Sequence, residues 1–366
     1  MKQVFLSPPW TGRGERAAVM AAFNTGYVAP CGPCVNVFEA ELRRISGRRF
    51  AVALSSGTAA LALVAEHLGV GPGWTVVAPT LTFIATVAPM VRRGASLLFV
   101  DSGPDANIDP ELLDAALAKA VRRSPGKTLF VSVDLYGRCC PYATLAAICA
   151  CRSAVWISDS AEAVGAECAM PDGSRVPAGS AALAAAYSFN GNKIITTSGG
   201  GAVVTDDRCL AEHVRKLSTQ SREPVPWYEH RELGFNCRMS NILAAIGAAQ
   251  AAKLPEILRR RRANRRRYAA LLEGSPLRLL PPVAGENCWL NVAIAPSQAA
   301  RDATIAKLAA AGLEARPVWK PMHLQPVFKE IPCEGGGGTA ARLFRRGVCL
   351  PSGTGLDFGR VANALR

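Results

Sequence analysis

The chain contains no apolar run of membrane-spanning length. Its longest candidate, Leu145 to Ile157, is short and is broken by Arg152. The opening MKQVFLSPPWTGRGERAAV has no continuous apolar core followed by a small-residue cleavage site, so no export signal is expected and the location expected is cytoplasmic. Regular cysteine spacing is missing as well. Twelve cysteines scattered through 366 residues argue for reduced thiols rather than a disulfide framework. Cys139-Cys140 and Cys149-Ala-Cys151 have no nearby histidine or second pair at zinc spacing, so no metal site is expected. Cys31-Gly-Pro-Cys34 has the form of a redox dithiol, but no strand precedes it to set it in a βαβ unit, and coincidence is the better reading. The formal charge of +14 comes without any nucleic-acid recognition motif. Its densest run, Arg259 to Arg267, sits in LPEILRRRRANRRRYAALLEG, whose apolar spacing predicts a helix with a solvated basic face. No nucleic-acid partner is expected. The surplus charge suits an anionic small substrate such as a nucleotide diphosphate.

What is present is a globular composition, 49% hydrophobic and 19% charged, in a chain too long for one compact core. From about Arg48 to Thr205, short β-branched or apolar runs alternate with helical stretches: FAVALSS with GTAALALVAEHLGV, TVVAPT with FIATVAPMVRRG, SLLFVD with IDPELLDAALAKAV, TLFVSVDL with TLAAICACR. VWISDS, ALAAAYSF and GGGAVVTDD follow. That order predicts an α/β domain, a mainly parallel sheet covered by helices on both faces. Past Lys253 the character changes, giving a large domain over 1–253 and a smaller α+β domain over 254–366. Gly335 to Gly338 reads as a flexible loop.

Ligands gather at the carboxyl ends of strands in such sheets, where three polar clusters fall: Ser55 to Thr58, Asp159 to Glu162, and SFNGNKIITTSGGG around Lys193. The last places one lysine in a hydroxyl- and glycine-rich turn, the setting of a Schiff-base lysine. Ser188, Asn190, Asn192, Thr196 and Thr197 offer hydrogen-bonding groups there. Were Lys193 to hold pyridoxal phosphate, Asp159 would be placed to face the ring nitrogen, Ser56-Gly57-Thr58 to take the phosphate and Phe83 to cover the ring. Each has a plainer alternative: a surface loop for Lys193, a helix N-cap for Asp159 or Ser56, a core aromatic for Phe83.

Taken in order, LSPPWTGRGE, ALSSGTAALALVAEHLGVGPG, PTLTFIATVAPMVRRGA, DLYG, DSAEAVGA, SFNGNKIITTSGGG, WYEH, GFNCRMSNILAAIGAAQ and VWKPMHLQP make the chain resemble the DegT-type nucleotide-sugar aminotransferases nearly end to end. The resemblance implies a pyridoxal-phosphate-dependent transferase of fold type I, with a seven-stranded large-domain sheet. It implies Lys193 as cofactor anchor and proton carrier and Asp159 at the pyridine nitrogen, with Glu162 and Phe83 at the ring. Gly57, Thr58 and Ser188 would hold the phosphate, joined by Asn236 from the second subunit of a homodimer. Tyr228, His230, Arg238 and His323 would line the substrate side. A lysine at 193 implies amination, since relatives that dehydrate sugars replace it. L-glutamate is the implied donor, and a nucleotide-linked keto sugar the acceptor. WYEH, GFNCRMSN and VWKPMHLQP look most like the branch aminating C4 of UDP-2-acetamido-4-keto-6-deoxyhexoses. Ser158, Ser160 and Arg138-Cys139-Cys140 depart from the family pattern. The remaining alternatives are another 3-keto, dTDP- or GDP-linked sugar, or a non-catalytic regulator that only binds the cofactor.

Overall fold

A computed structural model describes residues 3–365. Seven strands, β1 (Phe50–Leu54), β2 (Thr75–Pro79), β3 (Ser96–Val100), β4 (Thr128–Val133), β5 (Val155–Asp159), β8 (Ala184–Ser188) and β9 (Gly201–Thr205), form the large sheet. A small antiparallel hairpin, β6 (Glu167–Ala169) with β7 (Arg175–Pro177), stands apart from it. The order across the sheet is β1-β9-β8-β5-β4-β2-β3. All are parallel except β9, which lies antiparallel to both neighbours. An eighth strand, β13 (Cys333–Glu334), adds itself to the edge beside β3 from far along the chain. The family resemblance implies seven strands here; a two-residue strand is too short to carry a readable period.

Helices α1 (Arg13–Asn24), α2 (Pro33–Ser46), α3 (Gly57–His67), α4 (Ala88–Arg92), α5 (Pro110–Arg123), α6 (Tyr142–Arg152) and α7 (Arg208–Leu217) surround the sheet with the long α8 (Asn241–Leu271). Strand alternation assigns the faces. Ala51 and Ala53 of β1 pack with Phe38 and Leu42 of α2 and Ala251 of α8, while Val52 and Leu54 pack with Leu61 of α3 and Val214 of α7. Further along, Phe130 and Trp156 meet Leu117 of α5 and Leu145 of α6. Both faces are therefore dry, which is why these strands read as near-continuous apolar runs.

The smaller unit has β10 (Arg278–Leu279), β11 (Asn291–Ile294), β14 (Gly347–Leu350) and β12 (Arg316–Pro317) in that order, with α9 (Gln298–Ala310), α10 (Gly338–Arg346) and α11 (Phe358–Leu365). The expected break at 253/254 falls inside α8, which runs through it as 31 residues of helix, its first half buried against α1 and α2 and its later residue Tyr268 in the small-unit core. The N-terminal segment joins the small unit too, Val4 bridging Leu313. The basic run also differs from expectation. Arg259 and Arg260 pair with Glu256, Arg265 pairs with Glu286, and Arg261 is fully buried. Arg259, Arg260, Arg266 and Arg267 do lie on a solvated face, so the departure is Arg261. Among the described residues no helix is long and apolar enough to cross a membrane. Cys31 and Cys34 bracket the start of α2, outside the sheet, as free thiols.

Phe38 anchors the frame on which the site hangs. Its buried ring meets Phe189, the residue after β8, edge-on at 5.0 Å, and a Cβ placed on Gly247 of α8 would lie 2.7 Å from it. Phe38→Ala is expected to cost about 3–5 kcal/mol of unfolding free energy, read by urea melts, through loss of burial and the cavity left behind.

Candidate active site

The carboxyl ends of β1, β5 and β8 lie along one edge, and the antiparallel β9 begins at that same edge. Gly201 pairs with both Leu54 and Ser188. A Cβ on Gly201 would sit 2.3 Å from the Gly57 backbone nitrogen, so only glycine lets β9 slide between the β1 turn and β8. Around this point a cleft of about 310 Å³ opens, lined by Ser55 to Thr58, Thr82, Phe83, Asp159, Glu162, Ser188, Asn190, Asn192, Lys193 and Trp319. All three polar clusters meet there.

Residues 188–201 form a tight connection between β8 and β9. Thr197 N donates to Phe189 O at 2.9 Å, Lys193 N donates to Asn190 O at 2.9 Å, and Ile194 and Ile195 plug the core. The loop hydroxyls divide by role. Thr196 and Thr197 are buried and bond back to the loop, whereas Ser188, Asn190 and Asn192 face the cleft. Lys193 Nζ lies 3.5 Å from Glu162 Oε1 and 4.3 Å from the centre of the Trp289 ring. This is not an exposed surface-loop lysine: its side chain is 14% accessible.

Asp159 ends β5 and caps no helix; its Oδ1 accepts from Ala161 N at 3.2 Å in a turn. Oδ2 accepts from Thr86 Oγ1 at 2.6 Å, and Thr86 Oγ1 lies 2.7 Å from Thr82 Oγ1, so two hydroxyls back the carboxylate. Burial pushes the Asp159 carboxyl up, with the Thr86 hydrogen bond, the Ala161 N–H and the nearby Lys193 opposing it. Burial raises Glu162 as well, against the pull of Lys193 and the Tyr136 N–H, which donates to Oε2 at 2.7 Å. Two buried carboxyls and one amine leave the cleft prepared for a bound cation deep inside and an amine at its wall.

Ser56 caps α3 by accepting from Ala59 N at 3.0 Å, so the N-cap reading holds for its side chain. That does not compete with anion binding, because the helix start still presents backbone N–H groups and the positive end of its dipole to the cleft. A Cβ on Gly57 would press on Ser188 at 3.1 Å. Glycine keeps that cradle open.

Phe83 is 58% exposed at the cleft mouth, tilted against Trp319 at 6.3 Å. It is therefore no core aromatic. The expected substrate-side residues Tyr228, His230, Arg238 and His323 do not line this cleft, and neither does Asn236, which was expected at the phosphate from a second subunit. His323 is half-buried, its Nδ1 2.7 Å from Thr80 Oγ1, and burial lowers its pKa. Tyr228, His230 and Asn236 project on the exposed 219–236 loop, where His230 Nδ1 donates to Gln220 O. Arg238 is a correction: its buried guanidinium donates to Glu39 Oε1 at 3.0 Å and Ala53 O at 2.8 Å, tying β1 to α2, and it has no access to substrate in this cleft.

Several groups escaped the sequence reading. Thr86 stands three residues beyond Phe83 in PTLTFIAT, and Trp319 lies inside VWKPMHLQP, so both were in view without a role. Tyr136, Trp319 and Trp289 form a stacked wall, with interplanar angles of 8° and 18°. Asn287 fixes Trp289 by accepting from its backbone N–H at 2.8 Å while donating to Glu162 O at 2.9 Å. No local pattern signals such long-range pairs.

Residues 11–366 match the DegT/DnrJ/EryC1/StrS aminotransferase family. The chain is similar to aminotransferase EpsN of Bacillus subtilis, 37% identical with 100% of this chain and 95% of EpsN covered. It is 32% identical to a GDP-perosamine synthase of Caulobacter vibrioides, with 100% and 98% covered. Among solved structures, a DegT DnrJ EryC1 StrS aminotransferase from Brucella abortus superposes with a TM-score of 0.88 at 28% identity, covering 96% of this chain and 94% of that one. A PLP-form sugar aminotransferase structure from Streptococcus pneumoniae gives 0.89 at 25%, covering 99% and 97%. A lysine against a carboxylate, a buried aspartate and a glycine-floored helix start meet in one cleft, and with this likeness the chain belongs to the DegT/DnrJ/EryC1/StrS family as a pyridoxal-phosphate-dependent sugar aminotransferase.

Proposed function

We propose that this enzyme moves an amino group from L-glutamate to a nucleotide-linked keto sugar, at C4 of a UDP-2-acetamido-4-keto-6-deoxyhexose. The observation that carries the aminotransfer is the convergence of Lys193, Asp159 and the α3 start in one 310 Å³ cleft that adjoins a wider cavity of about 570 Å³; the UDP-linked C4 acceptor rests on the resemblance of WYEH, GFNCRMSN and VWKPMHLQP. The two share Phe83, Asn192 and Trp319, and the wider one adds Phe5, Pro8 and Arg316. Cofactor and acceptor sugar thus have adjoining space. Relatives named for GDP-perosamine and for a dTDP-linked 4-dehydro sugar keep GDP- and dTDP-linked acceptors as the second reading.

The residues present fit pyridoxal phosphate. The α3 start with Gly57, Thr58 and Ser188 would hold the phosphate, Asp159 the ring nitrogen, Phe83 and Glu162 the ring, and Lys193 the aldehyde carbon. When bound, this cofactor supplies an electron sink for the charge left on a carbon that loses its proton. Lys193 is the one lysine lining the cleft among the described residues, so the same Nζ that anchors also carries the proton. With the cofactor bound, it would carry the proton from the donor's α-carbon to the cofactor's former aldehyde carbon and, in the reverse direction, return one from that carbon to the sugar carbon that receives nitrogen. Thr86 and Thr82 hold the Asp159 carboxylate in place, and the Tyr136 N–H does the same for Glu162. The aromatic wall of Trp289 and Trp319 keeps water from the Lys193 side.

Asn236 and Tyr228 lie on an exposed loop with Trp227, Leu233 and Phe235, the last three 61%, 93% and 45% accessible. An apolar projection of this kind supports a homodimer in which the loop enters the partner's site.

Purified protein is expected to be yellow. Glutamate should bleach the absorbance of the bound cofactor, and Lys193→Ala should abolish that change. In a panel of UDP-, dTDP- and GDP-linked 3-keto and 4-keto sugars, only the UDP-4-keto compound should restore the colour efficiently. No product from any 4-keto sugar would overturn the acceptor assignment. Mixing inactive Lys193→Ala and Asn236→Ala subunits should regain activity, because each heterodimer rebuilds one intact site; mixtures as inactive as their parents would exclude the shared site.

Asp159 yields a pH prediction. Its folded-state pKa is raised by burial, so in cofactor-free protein the folded state holds the proton longer than the unfolded chain. Stability should therefore fall as pH rises above about 4, by up to about 1.4 kcal/mol per pH unit for one such group. Asp159→Asn should remove that share of the slope in urea melts on the alkaline side of about pH 4, and saturating pyridoxal phosphate should reduce it in the parent.

A further inference from the structure

Arg261 is among the largest fully buried side chains, and among the described residues no carboxylate lies within ion-pair distance of it. Burial pulls its pKa down to about 9. A cation held in the interior without a counter-ion must be met by neutral dipoles. Four groups do this. Nε donates to Thr354 Oγ1 at 3.0 Å, Nη1 to Trp289 O at 3.0 Å and to Ser352 O, and Nη2 to Ser7 Oγ at 3.0 Å. The fork therefore ties three stretches distant in sequence, the N-terminal segment, the 287–290 turn and the 350–354 loop, to the middle of α8.

Two of those stretches go on to grip one atom beside the reactive lysine. Ser7 Oγ donates to the Asn192 carbonyl at 2.8 Å, and Trp289 Nε1 donates to the same oxygen at 2.6 Å. Asn192 immediately precedes Lys193, whose Nζ rests over the Trp289 ring at 4.3 Å. Arg261 fixes Ser7 through its hydroxyl and Trp289 through its backbone carbonyl. The orientation of the lysine thus depends on a guanidinium that does not touch the cleft.

We propose that Arg261 is a positioning residue for Lys193, holding the Asn192 carbonyl through Ser7 and Trp289 so that the lysine amine stays between the Trp289 ring and Glu162. The proposal rests on Lys193 being the working amine. A planar fork with several donors can serve all four acceptors together, which a lysine ammonium cannot. Ser7 marks a second consequence, since it couples the N-terminal segment to the catalytic loop.

The test compares Ser7→Ala, R261K and R261Q, each first checked by thermal melting. In cofactor-free protein, acylation of individual lysines is followed by peptide mass spectrometry. Lys193 labelling should rise at least threefold in Ser7→Ala and R261Q, with R261K between them and the parent, while Lys216 on α7 reacts at its parental rate. In loaded enzyme, kcat for the glutamate half-reaction should fall about tenfold with the donor KM within twofold. If R261Q does not fold, Ser7→Ala alone decides, because it removes the arm from Arg261 to Asn192 that runs through Ser7 and leaves the cation and the Trp289 hydrogen bond in place. A Ser7→Ala protein that melts like the parent, labels Lys193 at the parental rate and keeps its kcat overturns the proposal. Labelling is read without turnover, so that result leaves the assignment of Lys193 to the Lys193→Ala spectrum.

Discussion

The site depends on one close approach, β9 entering antiparallel between β1 and β8 with Gly201 against the Gly57 nitrogen. A single methyl group there would clash with backbone on the β1 side, and backbone cannot move aside as a long side chain can. Because the approach is allowed, the helix start, Ser188 and the Lys193 loop share one edge of the sheet. The tight connection from β8 to β9 then sets Lys193 in the wall of the cleft.

Electrostatics sets the second constraint. Asp159 and Glu162 are buried carboxyls, each with its pKa raised by desolvation; donors hold both oxygens of Asp159, and the Tyr136 N–H holds one of Glu162. Leaving such a group without a hydrogen bond costs on the order of 1–3 kcal/mol, so Thr86 and the Tyr136 N–H are as necessary as the carboxyls they serve. In the cofactor-free protein the burial of Asp159 is opposed only by the Thr86 hydroxyl, the Ala161 N–H and the nearby Lys193; under the proposed function a cationic ring nitrogen would offset it further. Stability and cofactor binding are linked through the same atoms.

The family resemblance and the alternating strand pattern made the α/β frame and the Lys193, Asp159 and Gly57 clusters legible in advance, since strand ends and helix starts are local features. Arg238 misled for an equally physical reason. An arginine in a motif full of site residues looks available for an anion, yet its guanidinium is consumed by Glu39, a partner 199 positions away. The basic run misled in part as well: the helical period is real, but Arg261 turns inward to a pocket made by four segments that no window of sequence contains. The boundary at 253 failed because α8 belongs to both units, and a continuous helix carries no linker signal.

Sequence alone determined the class of fold and, through the family resemblance, the chemistry and the candidate lysine, because strand period, glycine placement and family motifs are written in consecutive residues. Tertiary structure decided which hydroxyls serve the cleft and which only hold the loop, and it built the Tyr136–Trp319–Trp289 wall. It also joined Ser7, Asn192 and Trp289 under one buried arginine. These contacts join residues from about 30 to more than 250 positions apart, and their energies come from desolvation and geometry that exist only after the sheet, α8 and the N-terminal segment have come together.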